Sequence, residues 1–327
     1  MAALNRWCVL LGLSVAGLIA ACAPEGPPPY ERPDDGFVDV RGARLAYRVL
    51  GSGPGTPALF LHGGPGGSSC AFAMTLDALL ETRPVVIYDQ IGSGYSSRIP
   101  TERLDDFTDF DRFLEEVDAL RAELQLDEVH LVGSSWGTAV ALEYLLKRGS
   151  DGIRSVTFSG PFFSTKRWIE DTDLLVATLS ESSQAAIAAA NASGDYDTEA
   201  FNMANTEFSA NYGVRTPRDQ IDWAECEIQP AGNSGLYQHM WGPSEFVSTG
   251  TLRDYYRIDR LSEVDVPTLF LMGEYDEPSF ETVAGYRDMV AGSEMEVIPD
   301  AGHGSAIDQP VLFNEAIVRF LASVEGR

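Results

Sequence analysis

The stretch VHLVGSSWGT at residues 129–138 decides the fold of this chain. Its apolar first half predicts a buried strand, and the residues from Thr138 to Lys147 have the apolar spacing of a helix. Two glycines flank a serine at the bend between them. Glycine tolerates the strained backbone and the close packing of helix on strand that expose a hydroxyl at the top of a sheet. The stretch therefore predicts that Ser135 is a nucleophile at a strand-to-helix turn.

Two later segments supply the acid and the base that a serine nucleophile needs. The apolar run at 266–273 predicts a buried strand, and Asp276 follows it at the carboxyl end, where ligands of open sheets bind. A short strand at 295–299 is followed by the glycine-flanked His303. The order serine, acid, histidine, each after its own strand, is that of the α/β-hydrolase fold. We therefore predict Ser135, Asp276 and His303 as a catalytic triad.

A glycine-rich loop, HGGPGG at residues 62–67, follows a predicted strand at 58–61. Amides in such a loop can approach a substrate without side chains in the way. With the backbone N–H of Trp136, the residue after the nucleophile, the loop predicts an oxyanion hole for a tetrahedral intermediate. A phosphate-binding loop is the rival interpretation. It is excluded because no Gly-Lys-Ser/Thr follows and no G-x-G-x-x-G spacing leads into a helix.

Alternating strands and helices predict an α/β fold with a mostly parallel central sheet and helices on both faces. We expect strands at 37–40, 45–50, 58–61, 85–88, 129–132, 155–159, 268–272 and 295–298, and helices at 70–80, 109–124, 138–147, 280–290 and 311–324. About 100 residues rich in alanine, serine and aromatics separate the sixth and seventh strands, which predicts an inserted helical lid. We place the α/β-hydrolase core at residues 37–162 and 251–327, and the lid at 163–250.

Four motifs together resemble the proline iminopeptidase family, serine aminopeptidases of the α/β-hydrolase superfamily that remove an N-terminal residue, often proline, from peptides. The motifs are HGGPGG at 62–67, DQIGSGYS at 89–96, GSSWG at 133–137 and GPSEF at 242–246. The resemblance implies the same triad, with oxyanion amides from Gly64 and Trp136. It also implies that Glu245 and a second lid glutamate, Glu207, bind the α-ammonium group of the substrate.

An ammonium site has a physical reason in an exopeptidase, which must count one residue from the N-terminus. Two neighbouring carboxylates repel one another when the site is empty, and an entering cation relieves that cost. The segment after Glu207, NYGVR at 211–215, departs from the family pattern. Glu225 and Glu227 therefore remain alternatives for the second amine-binding residue. Isoleucine at position 91, where many members carry arginine, leaves the substrate range open.

The first 36 residues predict export and lipid attachment. Arg6 precedes an uncharged, mostly apolar run to residue 21, which is shorter than the roughly 20 residues of a spanning helix. The run ends in LIAAC at 18–22, a small-residue box before cysteine that is typical of lipoprotein signals. We predict a signal peptide at 1–21, lipidation of Cys22 and a proline-rich linker at 22–36, which tether the enzyme to a bacterial membrane. That places it in the periplasm or on the outer membrane of a cell with two membranes. A plain secretory signal or an uncleaved anchor is the alternative.

The composition limits the classes of partner and cofactor. The formal charge is −26, from 49 acidic and 23 basic residues, which argues against nucleic acid and anionic headgroups as partners. No histidine, cysteine and aspartate cluster has metal-ligand spacing, and we expect neither a metal nor another cofactor. The spacing of Cys70 and Cys226 leaves open a disulfide or two free thiols.

The sequence as a whole favours a serine aminopeptidase. We expect it to release an N-terminal residue, proline or a small apolar residue, from short peptides with a free N-terminus through an acyl-enzyme. A carboxylesterase, or another α/β-hydrolase acting on a small ester or amide, would use the same triad. A binding lipoprotein without catalysis is disfavoured because every catalytic position is filled. The preferred first residue, the peptide length and the oligomeric state stay open.

Overall fold

A computed structural model describes residues 35–107, 109–228 and 232–326 of the chain. The predicted signal peptide, the lipidation site Cys22 and nearly all of the proline-rich linker lie outside these residues. Within them, no helix has the length and apolar character needed to cross a membrane.

In the described part of the chain, eight strands form one sheet. Strand β2 runs antiparallel to its neighbours β1 and β4, and all later pairs are parallel. The order across the sheet is β1-β2-β4-β3-β5-β6-β7-β8. The strands are β1 (Asp35–Val40), β2 (Ala43–Leu50), β3 (Ala58–Leu61), β4 (Val85–Asp89), β5 (Val129–Ser134), β6 (Ile153–Ser159), β7 (Thr268–Gly273) and β8 (Glu294–Ile298). The predicted mostly parallel sheet is confirmed.

Helices cover both faces of the sheet and fill the segment between β6 and β7. The α-helices are α1 (Cys70–Thr75), α2 (Asp77–Leu80), α3 (Leu104–Phe107), α4 (Phe110–Glu123), α5 (Trp136–Arg148), α6 (Thr165–Val176), α7 (Glu181–Ser193), α8 (Glu199–Phe208), α9 (Ala224–Ile228), α10 (Ser234–Met240), α11 (Phe280–Met289), α12 (Ser305–Asp308) and α13 (Pro310–Val324). Short 3-10 turns lie at Thr101–Arg103, Arg218–Gln220 and Ile258–Glu263, and a π-helical turn at Ser209–Gly213 follows α8 directly.

The single helix expected at residues 70–80 is wrong, because the chain forms α1 and α2 with a break at Leu76. The buried amide of Asn314 on α13 explains the break. Its Oδ1 accepts a hydrogen bond from the Leu79 amide at 3.3 Å, and its Nδ2 donates to the Thr75 carbonyl. A side chain from a distant helix thus takes over backbone groups that a continuous helix would pair internally.

The central strands are buried on both faces, which explains their nearly continuous apolar sequences. In β3, Leu59 and Leu61 join the cluster that packs under α4 and α5, whereas Ala58 and Phe60 join the cluster under α13. Alternate residues of one strand therefore serve two separate cores, as the period of two in a strand requires.

The segment between β6 and β7 has an apolar cluster of its own. It is built from α7, α8 and the loop after α10, with members Leu179, Ile187, Ala190, Phe201, Ala204, Phe208, Phe246 and Val247. Side-chain caps start its helices: Ser164, Ser180 and Thr198 each accept a hydrogen bond from a backbone amide three residues ahead. The whole segment between β6 and β7, residues 160–267, is called the lid below.

A disulfide bond joins Cys70 at the start of α1 to Cys226 in α9, with their Cα atoms 5.2 Å apart. The sequence left this pairing open. The bond links the lid to the part of the core that follows the glycine-rich loop. The two cysteines are 156 residues apart in the sequence.

The end of the last helix is held by a buried carboxylate. Glu325 accepts a hydrogen bond from the Thr56 amide at 2.8 Å and pairs with the buried Arg83 at 3.1 Å. Burial by itself raises the pKa of Glu325, but the Thr56 amide and Arg83 outweigh it and lower the pKa to about 2. Because this pKa lies below that of an unfolded glutamate, about 4.3, the pairing stabilises the fold at neutral pH and is lost as the pH falls toward 2.

Glu325→Gln is expected to lower the free energy of unfolding by about 3 kcal/mol at pH 7, because it leaves Arg83 buried without a countercharge. The difference from wild type should shrink as the pH falls from 7 to 3, measured by denaturant unfolding at each pH. Glu315→Gln on the same helix is the matched control, since that carboxylate is 55% exposed and pairs with Arg319 only at 3.8 Å. Equal effects of the two substitutions at pH 7 would contradict the assignment.

Candidate active site

Ser135 occupies the turn between β5 and α5 with φ 54° and ψ −123°, a backbone conformation that non-glycine residues rarely adopt. Its glycine neighbours permit the turn. A Cβ on Gly133 would lie 2.5 Å from the Gly137 carbonyl oxygen, and one on Gly137 would lie 2.0 Å from the Leu61 carbonyl oxygen. Both positions therefore require glycine. The Ser135 amide donates to the Ser159 carbonyl of β6 at 2.9 Å, which holds the turn against the sheet.

The predicted acid, Asp276, and the predicted base, His303, meet at the ends of β7 and β8. Nδ1 of His303 lies 2.6 Å from Oδ1 of Asp276, a buried carboxylate that also accepts from the amides of Gly273 and Glu277. A carboxylate oxygen accepts, so Nδ1 carries a proton toward Asp276, and Nε2 is the ring nitrogen left to exchange a proton with another group. Gly160 makes room for the imidazole, because a Cβ there would lie 2.6 Å from Cε1 of His303.

Nε2 of His303 is buried and has no hydrogen-bond partner among the described residues, so the Ser135 hydroxyl is not hydrogen-bonded to it in this structure. Trp168 links the two positions. Its indole packs edge-on against the His303 ring with 5.2 Å between centroids, and it lines the cavity above Ser135. Catalytic hydrogen bonds are often long in empty enzymes and tighten only when substrate binds.

The glycine-rich loop faces Ser135. A Cβ on Gly63 would touch the Ser135 side chain, at 3.0 Å from its Cβ, and Gly64 has φ +121° with no room for a side chain. Gly64, Ser135 and Trp136 line one narrow cavity of about 10 Å³. The structure thus brings the two predicted oxyanion residues and the predicted nucleophile to the same small space.

A pair of carboxyl groups lies beside the triad. Glu245 and Glu277 are hydrogen-bonded to each other, and the Tyr237 hydroxyl donates to Oε1 of Glu245 at 2.7 Å. Burial raises the pKa of both groups, and the charge of Glu245 raises the pKa of Glu277 further. Oε2 of Glu277 is buried without a hydrogen-bond partner among the described residues.

Glu245 lies at the junction of two cavities. It borders the narrow cavity above Ser135, and together with Glu277 and His303 it lines a second cavity of about 390 Å³. The other residues of the larger cavity come mostly from the lid: Asn205, Phe208, Ser209, Gly213, Val214, Tyr237, Pro243, Ser244 and Gly304. A group bound at Glu245 would therefore be close to both the nucleophile and the base.

The structure does not bring Glu207 to this site. Its carboxylate accepts from the Ser180 amide and hydroxyl, both at 2.7 Å, and from the Ser183 hydroxyl at 2.5 Å, so it stabilises the start of α7. Glu227 lines an open surface groove beside Trp223, and the Glu225 side chain lies outside the described residues.

Glu277 is the residue that the sequence reasoning missed. The resemblance pointed to the lid, whereas Glu277 lies in the core next to the triad aspartate. One signal was present: two successive acidic residues directly after a late buried strand, where a single carboxylate suffices for the triad.

The aromatic side chains of the lid divide between the site and the interior. Trp241, with Phe162, Trp168 and Leu252, lines the narrow cavity, and Tyr237 lines the larger one. Phe246 belongs to the apolar cluster of the lid itself.

The loop that carries His303 is hydrogen-bonded to the lid. The amides of His303 and Gly304 donate to the carbonyls of Tyr212 and Gly213 in the π-helical turn, at 2.7 and 2.9 Å. Asp308 extends the contact, since its carboxylate accepts from the Gly302 amide at 2.9 Å and from lid amides 215 and 216. The base and this part of the lid therefore form one hydrogen-bonded unit.

The chain has the sequence and the fold of an α/β hydrolase. The sequence model of the alpha/beta hydrolase fold family matches residues 56–310. Among solved structures, VinJ superposes with a TM-score of 0.80 at 30% identity, covering 91% of this chain and 100% of that one. The proline iminopeptidase of Mycobacterium smegmatis superposes with a TM-score of 0.78 at 28% identity, covering 89% and 98%.

Curated relatives narrow the class further. The chain is 36% identical over 291 residues to the proline iminopeptidase of Heyndrickxia coagulans, which covers 89% of this chain and 99% of that protein. It is 34% identical over 290 residues to the proline iminopeptidase of Levilactobacillus brevis, covering 88% and 96%. The protein belongs to the proline iminopeptidase family of α/β hydrolases.

The charge around His303 sets its basicity. Burial by itself lowers the pKa of His303, but the carboxyl groups of Glu277, Asp276 and Glu245 overcome this and raise the pKa to about 10. These three carboxyl groups therefore favour the protonated imidazole at neutral pH. An imidazolium cannot accept a proton from serine, so a cation that pairs with Glu245 and Glu277 would favour the neutral base.

A fluorophosphonate without an amine should report this property, because it reacts with an activated serine and brings no cation. We expect its rate of inactivation to rise with pH up to about 10, as His303 loses its proton. Glu277→Gln removes a charge that raises the pKa of His303 and should move the midpoint to lower pH. Glu281→Gln, an exposed position on α11, is the control and should leave the midpoint in place. A wild-type midpoint near pH 7 would contradict the charge argument.

Proposed function

We propose that this protein is a serine aminopeptidase that releases an N-terminal residue, proline or a small apolar residue, from short peptides. The observation that carries the proposal is the pair of carboxyl groups Glu245 and Glu277. Glu245 borders both cavities, and the buried Glu277 lines the larger one together with His303. Membership of the proline iminopeptidase family supports the reaction class.

In this proposal Ser135 attacks the carbonyl carbon of the first peptide bond while Nε2 of His303 takes the hydroxyl proton. Asp276 holds the imidazole by its Nδ1 hydrogen and stabilises the imidazolium. The backbone amides of Gly64 and Trp136 stabilise the oxyanion of the tetrahedral intermediate. Collapse of the intermediate breaks the C–N bond, and His303 gives its proton to the leaving amine. Water then attacks the acyl-enzyme by the same steps and releases the first residue.

The carboxyl pair gives this reaction its requirement for a free N-terminus. An empty pair keeps a proton because two buried carboxylates cannot both ionise at little cost. The α-ammonium of a peptide replaces that proton and places the adjacent carbonyl within reach of Ser135. Because the ammonium and the carbonyl of one residue are a fixed distance apart, binding at Glu245 selects the first peptide bond.

The narrow cavity supports a small first residue. Apart from Ser135 and Glu245 its lining side chains are apolar or aromatic, and Phe162, Trp168 and Trp241 pack edge-to-face around it. A cavity of about 10 Å³ holds about one water, so even a proline ring needs the walls to move apart. The apolar and aromatic side chains of this lining suit a proline ring or a short alkyl side chain.

A chromogenic amide of proline and its N-acetylated twin test the free-amine requirement. We expect cleavage of the free amide and none of the acetylated one, because acetylation removes the charge that pairs with the glutamates. Steady-state kcat/KM for both compounds is the measurement, with Ser135→Ala as the inactive control. Equal cleavage would remove the aminopeptidase assignment and favour the alternative, a carboxylesterase or another hydrolase of small esters or amides.

Substitutions in the pair extend the same test. Glu245→Gln and Glu277→Gln should each lower kcat/KM for the free amide. The expected loss of transition-state stabilisation is about 1.5–3 kcal/mol, the range for a hydrogen bond to a charged group. Glu207→Gln tests whether the second amine-binding residue is Glu207, as the sequence suggested, or Glu277, which the structure places beside Glu245. A loss with Glu207→Gln as large as that with Glu277→Gln would contradict the role proposed for Glu277.

We further propose that the chain is exported and lipid-anchored through Cys22, in the periplasm or on the outer membrane of a two-membraned cell. The LIAAC sequence at 18–22 supports this, and the Cys70–Cys226 disulfide suits an oxidising compartment. Labelled palmitate should be incorporated into the wild-type protein in its bacterial host. Cys22→Ser should abolish the label and release the protein from membranes. A Cys22→Ser protein that stays membrane-bound would contradict lipid anchoring.

A further inference from the structure

The two proposed oxyanion amides come from separate parts of the chain. Gly64 lies in the loop after β3, and Trp136 opens α5 after β5. The strands are adjacent, with Leu61 opposite Gly133, but each amide continues into its own loop or helix. An oxyanion hole works only when both donors lie about 2.7–3.1 Å from the same oxygen. Something must therefore fix the loop and the helix start relative to each other.

The side chain of Gln90 spans the two segments. Its Nε2 donates to the His62 carbonyl at 2.8 Å, and its Oε1 accepts from the indole Nε1 of Trp136 at 2.9 Å. Gln90 is 1% exposed, so these are buried hydrogen bonds without competition from solvent. A single amide group thus joins the start of the glycine-rich loop to the residue after the nucleophile.

The backbone of the same residue strengthens this connection. The Gln90 amide donates to Nε2 of His62 at 2.9 Å, which leaves Nδ1 of that ring to donate to the Gly63 carbonyl at 2.8 Å. Burial lowers the pKa of His62, which keeps the ring in the neutral form that both bonds require. His62 is therefore held by the main chain and the side chain of Gln90.

The neighbouring residue anchors Gln90 in turn. The Asp89 carboxylate accepts from the amides of Ser69 at 2.8 Å and Tyr95 at 2.9 Å, which fixes the turn after β4. Only a carboxamide of this length meets both demands at position 90. It offers one donor to a carbonyl and one acceptor to an indole N–H, whereas a carboxylate lacks the donor and an apolar chain lacks both.

We propose that Gln90 is a positioning residue that sets the spacing between the Gly64 and Trp136 amides and so determines how well the oxyanion is stabilised. The inference rests on the serine mechanism proposed above. It assigns Gln90 no contact with substrate. Its loss should therefore weaken binding of the tetrahedral state and leave binding of the free amino group unchanged.

Gln90→Met removes both side-chain hydrogen bonds at similar volume and is the first variant. The probes are prolinal, an aldehyde that adds to Ser135 and places an oxyanion in the hole, and prolinol, which keeps the ring and the ammonium but cannot form the adduct. We expect kcat/KM for the proline amide to fall about 10- to 100-fold, and the inhibition constant of prolinal to rise by the same factor. The inhibition constant of prolinol should change less than twofold.

Two further variants separate positioning from general loss of packing. Trp136→Phe removes the hydrogen bond from the indole to Oε1 of Gln90 and should show the same selective loss for prolinal. With this second variant, the test does not depend on whether Gln90→Met folds. Asn314→Leu is the matched control, a buried amide with hydrogen bonds to the Thr75 and Pro310 carbonyls outside the site. It should lower the melting temperature without a selective loss for prolinal.

The outcomes distinguish this inference from the proposed function. If prolinal inhibits the wild type no better than prolinol, or inhibits Ser135→Ala equally well, the serine mechanism itself fails. If wild-type inhibition by prolinal depends on Ser135 but Gln90→Met and Trp136→Phe leave it unchanged, the mechanism stands and the role of Gln90 is wrong. Equal losses for prolinal and prolinol would also overturn it, since they indicate a general structural effect.

Discussion

The structure depends on a steric constraint at one turn. Ser135 adopts a left-handed backbone conformation only because Gly133 and Gly137 lack side chains, so that α5 packs directly against the carbonyl of Leu61. This close approach sets the nucleophile, the first amide of α5 and the glycine-rich loop side by side. Gln90 and His62 then connect the same three segments by buried hydrogen bonds. The strain at one residue is maintained by packing that extends across β3, β4 and β5.

Charge is the second constraint on the site. Three carboxyl groups face one imidazole in a buried space, and the cavity beside them opens toward lid residues. Such a site stabilises the protonated form of His303. In the proposed function, an ammonium group at the carboxyl pair would offset this charge and favour the neutral imidazole. In the function proposed above, recognition of the amino end and activation of the serine would thus be connected through electrostatics.

The lid also contributes hydrogen bonds and side chains to the candidate active site. Its π-helical turn accepts hydrogen bonds from the backbone of the loop that carries His303, and Asp308 connects the same loop to the next lid residues by hydrogen bonds. Glu245 and the walls of the narrow cavity also belong to the lid or border it. The disulfide between Cys70 and Cys226 joins the other end of the lid to the core next to the glycine-rich loop. The candidate site therefore lies where hydrogen bonds and the disulfide join the lid to the core.

The amino-acid sequence alone determined the sheet and the proposed triad, because these depend on local signals: apolar periodicity, glycines at a strained turn, and polar residues directly after buried strands. All eight strands could be predicted, and Asp276 and His303 meet as their positions indicated. Tertiary structure alone decided the rest. The break at Leu76 comes from Asn314, more than 200 residues away, and Glu207 caps a helix although its sequence context suggested a site. Glu277, Gln90 and the disulfide acquire their partners only when distant segments pack together, and no local pattern records which side chains will share a buried space.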